Sequence, residues 1–317
     1  MNNKLIFKWF SGLNALRISA ALLVVLMHIH SNQQRMGLPA LPDFPILSKG
    51  LLAVSFFFVL SGFLITYLLL KEETKTKTID VKAFYWRRVF RIWPLYFLVI
   101  AMGMIFYWVL VPKLGLEFPV EYSKVLATLL YVFFGANLMN SIFHVGGMLH
   151  ITWSIAVEEQ FYLFWAPLAK KVKGNIEPLA AIVVILSLSI NTFNQVNGFG
   201  LSEGMQHFVH TLQFHYMGIG AMAAAFLYKN ANGLLNLVAF KSKTIQLLLY
   251  GIILAFFFLY QKTDWAEMII PLPLGVLFAW LIVNTACNPK AIFKFENRTS
   301  HYLGSISYGV YMFHMPI

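Results

Sequence analysis

Acidic side chains are scarce in this sequence. Only 13 Asp and Glu stand against 24 Lys and Arg among 317 residues, and charged residues make up 12% of the chain. A soluble globular domain carries about a quarter, so a water-soluble architecture is excluded. Cysteine is nearly absent as well: Cys287 alone cannot build a disulfide framework or a thiolate metal cluster. No Lys/Arg-rich tract with interleaved aromatics stands apart from the apolar segments, so the formal charge of +11 does not point to nucleic acid. Low-complexity tracts and paired broken-helix repeats of the transporter kind are also missing.

What remains is apolar: 59% of residues are hydrophobic and 16% aromatic. Leu51 to Leu70 and Ile92 to Val111 carry no charge and are long enough to cross the ~30 Å hydrocarbon layer. Helices are expected near 13–31, 51–70, 90–111, 151–169, 178–191, 207–228, 245–260, 267–285 and 301–317. If the N-terminus is cytoplasmic and each helix crosses once, Lys4, Lys8, Arg17, Lys71, Lys75, Lys77, Lys82, Arg87, Arg88, Arg91, Lys170, Lys171, Lys173, Lys229, Lys241, Lys243, Lys290, Lys294 and Arg298 lie inside. Only Arg35, Lys49, Lys113, Lys124 and Lys262 fall outside, which is the positive-inside bias and accounts for the basic charge. Counting Lys124 to Met139 as another crossing would invert every later loop, so this segment is expected to be re-entrant or interfacial and to wall a cavity. The expected fold is all-α: one polytopic transmembrane helix bundle over 1–317 with about 9–10 membrane helices. The basic start leads into a long segment with no small-residue cleavage site, so the first helix is expected to stay as an anchor.

Ionisable groups inside such segments are costly, which makes each a functional candidate. Arg17 and His28 share the first helix, about three turns and ~16 Å apart on one face, where they would line one side of a channel. The alternatives are a snorkelling anchor for Arg17 and a headgroup histidine for His28. His30 falls on another face and is expected at the interface; His-x-His without a carboxylate is a weak metal signal. Arg88 and Arg91, at i and i+3, present two forked donors suited to the phosphates of a nucleotide or coenzyme A. A collar for lipid headgroups is the rival reading, and the preferred one for Lys82 and Arg87.

Farther along, Ser154 and Glu158 stack at i and i+4, and Glu158 adjoins Glu159 in an apolar segment. At least one of the two carboxylates should be paired with Arg or His, or protonated. His314 reads as a hydrogen-bonded packing residue, His207, His210 and His215 as interfacial, and Ser61-Gly62 as a close-packing element without chemistry.

Taken in order, the Leu16-Arg17 pair with His28 eleven residues on, Arg88-x-x-Arg91-Ile-x-Pro-Leu-Tyr96, Trp153-Ser154-x-x-x-Glu158-Glu-Gln-Phe-Tyr-Leu163 and Ser307-Tyr-x-x-Tyr311-x-x-His314 form an ordered set. With Phe56 to Ile65, they closely resemble the acyltransferase-3 family of integral-membrane acyltransferases, over nearly the whole chain. The resemblance implies transfer of an acyl group, most often acetyl, from cytoplasmic acyl-CoA to a hydroxyl of a surface or exported polysaccharide, lipopolysaccharide or related glycolipid. It implies His28, Arg88 and Arg91 as the functional core, supported by Arg17, Trp153, Ser154 and Glu158. Arg88, Arg91 and Arg17 would bind acyl-CoA, and Trp153 and Ser154 the substrate. A near-neutral imidazole at His28 suits general-base work, with Glu158 orienting it or binding sugar hydroxyls. No resident cofactor is expected, since acyl-CoA is a substrate, and the expected location is the inner or plasma membrane.

Two departures stand out: Asn14-Ala15 replaces the family's usual Asp-Gly, removing a carboxylate partner for Arg17, and the chain is expected to be truncated at Ile317. The rival function is a secondary transporter or flippase for an anionic metabolite, which would move its substrate unchanged. A receptor or scaffold would tolerate substitution at His28, Arg88 and Arg91 alike.

Overall fold

The computed structural model describes residue 10 and residues 12–38, 44–261, 263–295 and 297–315. Lys4, Lys8 and Lys262 of the charge tally, and Pro316 and Ile317 of the last expected helix, lie outside the described residues. The protein is an all-α membrane helix bundle, with no strand among the described residues. Its principal helices are α1 (Leu13–Arg35), α2 (Gly50–Thr76), α3 (Val81–Ile105), α4 (Lys124–Val132), α5 (Ala136–Ile142), α6 (Trp153–Val172) and α7 (Ile176–Asn197). There follow α8 (Glu203–Thr211), α9 (Phe214–Leu235), α10 (Lys243–Leu259), α11 (Pro271–Cys287) and α12 (Arg298–Phe313). By length and composition four helical stretches can cross a bilayer: Leu13–Arg35, Gly50–Thr76, Val81–Lys113 and Ile176–Gly200.

The bundle is organised around α2, which is apolar on every side and packs against α1, α6, α9 and α11. Its closest approach is to α9. A Cβ at Gly62 would overlap the Met217 carbonyl, and one at Gly220 would overlap the Val59 carbonyl, so both backbones meet where neither helix has a side chain. The packing role expected for Gly62 is therefore observed.

The Lys124 to Met139 segment does not cross. Its first helix has nine residues, about 13.5 Å of rise, against a ~30 Å layer. The chain then breaks at Phe134, whose φ is 57°, before α5 begins. Side chains satisfy the freed carbonyls: Gln160 Nε2 donates to Phe134 O at 2.8 Å, and Tyr96 OH to Tyr131 O at 3.0 Å. A similar repair occurs in α6. Pro167 has no N–H for the Leu163 carbonyl, and Tyr85 OH fills that vacancy at 2.6 Å.

Two expected helices are divided. The single helix over 207–228 is in fact α8 and α9, separated at Leu212 and Gln213. Asn191 Nδ2 and Ser187 Oγ of α7 both donate to the Leu212 carbonyl at 3.3 Å, so a neighbouring helix stabilises a break that no local Gly or Pro announces. The helix over 267–285 starts at Pro271, after a separate turn at Asp264–Ile269, because proline favours the first helical position. His30 and His215, expected at the interface, are buried in the bundle, at 7% and 3% exposure.

One end of the bundle collects the basic residues. There Tyr228 OH at the end of α9 donates to Thr74 Oγ1 near the end of α2, Lys229 meets Glu177 at the start of α7, and Arg87 meets Glu72 across the α2–α3 turn.

Candidate active site

A cavity of about 390 Å³ lies toward this basic end, between α1, α2, α3, α6 and α12. Five of the residues singled out by sequence line it: Arg17, Arg88, Arg91, Ser154 and Glu158. They come from three helices whose sequence separations reach 141 residues, Arg17 to Glu158, so their convergence is a property of the fold. Arg88 and Arg91 share a face through their i, i+3 spacing and have no hydrogen-bond or ion-pair partner among the described residues. The Arg88 Nε is fully buried, and its guanidinium sits 5.7 Å from the centroid of the Phe84 ring. Arg17 Nη1 donates to Asn14 Oδ1 at 3.3 Å, so the amide oxygen of Asn14 occupies the place of the carboxylate that the family pattern would supply.

The adjacent carboxylates are held by neutral donors. Glu158 accepts from Ser61 Oγ at 2.9 Å and, one helical turn on, from Tyr162 OH at 2.7 Å. Glu159 points elsewhere and accepts from Trp93 Nε1 at 3.1 Å. Neither forms an ion pair with Arg or His among the described residues, so of the two alternatives expected for this pair, ion pairing and protonation, the first is not observed. Three guanidiniums thus face the cavity with a single carboxylate on its wall, and the surplus positive charge can be neutralised by a polyanion such as a pyrophosphate.

His28 and Trp153 are not on this wall. Trp153 faces a second chamber. His28 lies with its ring 5.0 Å from the ring of His314, and the His314 ring is 5.5 Å from Tyr311. Tyr311 in turn shares a 2.6 Å hydrogen bond with Ser154 Oγ, so the histidine pair connects to the cavity through α12. His314 Nδ1 is hydrogen-bonded to the Tyr311 carbonyl. A carbonyl only accepts, so the neutral ring carries its hydrogen on Nδ1 and a lone pair on Nε2, which has no partner among the described residues.

The sequence reading gave Ser61, Tyr162 and Tyr311 no part in the chemistry of the site. Tyr162 stands four residues after Glu158, a signal available in the sequence. Ser61 and Tyr311 meet their partners across 97 and 157 residues and give no local sign.

A family pattern described as an acyltransferase domain, that of the acyltransferase-3 family, matches residues 10–317. The chain belongs to the acyltransferase-3 family. Among proteins similar to this member is a peptidoglycan O-acetyltransferase of Listeria monocytogenes, 27% identical over 330 residues, covering 98% of this chain and 49% of that protein. An O-acetyltransferase of Staphylococcus aureus is 29% identical over 163 residues, 50% of this chain and 24% of that one. The chain therefore spans about half the length of the first relative. No solved structure matches.

Proposed function

We propose that the protein is an O-acyltransferase that moves an acyl group, acetyl in the first instance, from cytoplasmic acyl-CoA to a hydroxyl of a glycan on the other side of the membrane. The observation that carries this reading is the Arg88 and Arg91 pair, without a hydrogen-bond or ion-pair partner among the described residues, in a cavity at the basic end of the bundle. Coenzyme A is too polar to cross a bilayer, so its phosphates dock at these guanidiniums and Arg17 while the thioester arm extends toward Ser154 and Tyr311. In the transfer, the acceptor oxygen attacks the thioester carbonyl carbon. A C–O bond forms, the C–S bond breaks, the acceptor proton passes to an imidazole, and coenzyme A leaves as its thiol after taking up a proton. His28 is the base on this reading, with His314 against it. Glu158, tied to Ser61 and Tyr162, is the fixed carboxylate of the cavity that the arginines line. The O-acetyltransferase names of the relatives agree with this chemistry, and the basic end is then the cytoplasmic one.

The test is thiol release from acetyl-CoA by the protein in proteoliposomes, with and without the host's surface glycan. Glycan-stimulated release in the wild type, lost in a folded His28→Ala variant, is the expected result. Absence of release by folded protein supplied with both substrates overturns the reading, and transport of an unchanged anion would replace it.

A further inference from the structure

Trp153 opens onto a second chamber, of about 370 Å³, on the side of the bundle away from the basic end. Only a thin wall separates it from the arginine cavity. Along α2, Val54 lines the first space and Ser55 the second; at the start of α6, Ser154 lines the first and Trp153 the second. Both helix breaks meet here: Asn137, just after the break at Phe134, donates to Thr211 Oγ1, just before the break at Leu212, at 3.3 Å. Irregular backbone at membrane depth persists where it lines a polar space.

The lining chemistry differs in kind from that of the first cavity. Four carboxamides converge from three places, Asn137 and Asn140 of α5, Asn191 of α7 and Gln213 of the α8–α9 break. Asn137 and Asn140 are engaged within the protein through both ends of their amides, whereas among the described residues Asn191 Oδ1 and Gln213 Nε2 have no hydrogen bond and offer an acceptor and a donor. The one carboxylate, Glu267, is 3.6 Å from the imidazole of His210, and among the described residues no group of three His, Cys, Asp or Glu could hold a metal ion. Trp153 supplies an indole surface, packed edge-on to Phe58. His215 is 3% exposed and on the chamber wall, and its Nε2 has no partner while its Nδ1 lies 3.1 Å from Ser187 Oγ. A buried ring nitrogen left open beside a space lined by amides and imidazoles, with Lys49 and Glu267 of opposite charge, is satisfied by a neutral hydrogen-bonding ligand. A volume of this size is within the range of small-molecule sites, about 300–1,000 Å³. An open amide oxygen and an open amide N–H, one lysine (Lys49) balanced by one carboxylate, and one aromatic face match a carbohydrate ring, whose hydroxyls both donate and accept and whose C–H face is apolar.

We propose that this chamber is a carbohydrate site and receives the sugar that carries the acceptor hydroxyl. The assignment of the sugar as acceptor rests on the acyltransferase reading; binding itself does not. Purified protein in lipid nanodiscs is titrated calorimetrically, with no acyl-CoA present, with neutral trisaccharides of N-acetylglucosamine, glucose and galactose. Saturable binding of at least one, weakened about tenfold by Asn191→Leu and by Gln213→Leu, is the expected result, the loss of one or two neutral hydrogen bonds. His215→Ala should act likewise; the two partly exposed positions keep the test valid if that buried substitution unfolds the protein, which a thermal melt reports. No saturable binding of any of the three at tens of millimolar overturns the proposal, as does binding that survives all substitutions in folded protein. Sugar binding without thiol release sinks the acyltransferase reading alone. Glycan-dependent thiol release without chamber-dependent sugar binding sinks the carbohydrate site alone.

Discussion

The two chambers share α2 and α6 as walls and hold contrasting chemistry. The space at the basic end gathers three guanidiniums around one carboxylate, whereas the space behind Trp153 gathers carboxamides and imidazoles, with one lysine, Lys49, and one carboxylate set against a histidine. The first selects by charge and tolerates some play in geometry, because a phosphate oxygen is attracted over several ångströms. The second has little charge to offer and selects by the direction of each hydrogen bond. A division of this kind lets one bundle hold a large anion and a neutral ring a few side chains apart without either entering the other's space.

Substitutions can break this comparison or sharpen it. The largest loss is expected for His28→Ala, which should lower the transfer rate by about 10²–10⁴-fold, the usual contribution of a general base. Steady-state thiol release with glycan present measures it, and a variant retaining more than half the wild-type rate removes His28 from the reaction. Next, Arg88→Ala and Arg91→Ala should each raise the KM for acetyl-CoA about tenfold to a hundredfold, the range for a charge-assisted hydrogen bond. Sugar affinity should not change. Equal effects on both ligands, read by calorimetry, would show that the chambers are not chemically separate.

Gly62→Ala attacks the shared wall. Its methyl would meet the Met217 carbonyl, and the displacement should cost about 1–3 kcal/mol, seen as a lower midpoint of thermal unfolding in detergent. Ser61→Ala removes one donor from Glu158 and should cost about 1 kcal/mol, seen as a roughly fivefold slower transfer. Tyr85→Phe, which frees the Leu163 carbonyl behind Pro167, should lower stability by about 1 kcal/mol or less and leave both ligands unaffected. A change in KM for either ligand in Tyr85→Phe would mean that the curvature of α6 governs the chambers.

Much of this architecture was legible in the sequence, and the reasons are local. The helix-length apolar runs gave α2 and α3, and the contradiction between the Lys124 segment and the basic loops identified the helix that does not cross. The i, i+3 spacing of Arg88 and Arg91 and the i, i+4 spacing of Ser154 and Glu158 gave one-face pairs that the structure places on a single cavity wall. What escaped depended on partners far along the chain. The break at Leu212 is held by Ser187 and Asn191 of another helix. His215 looks interfacial from its own neighbours and is buried because α7 covers it. Ser61 looks like a packing residue until Glu158 arrives across 97 positions.

The wall at Val54 and Ser55, and at Trp153 and Ser154, carries a consequence for how such a protein can change over generations. Consecutive residues there line different chambers, so deleting or inserting one residue upstream in either helix rotates the face by about 100° and exchanges the side chains offered to both chambers at once. Point substitutions can retune one chamber at a time. Length changes in α2 or in the start of α6 cannot, and natural variation in ligand preference should accumulate by replacement at fixed length there, while insertions collect in the loops.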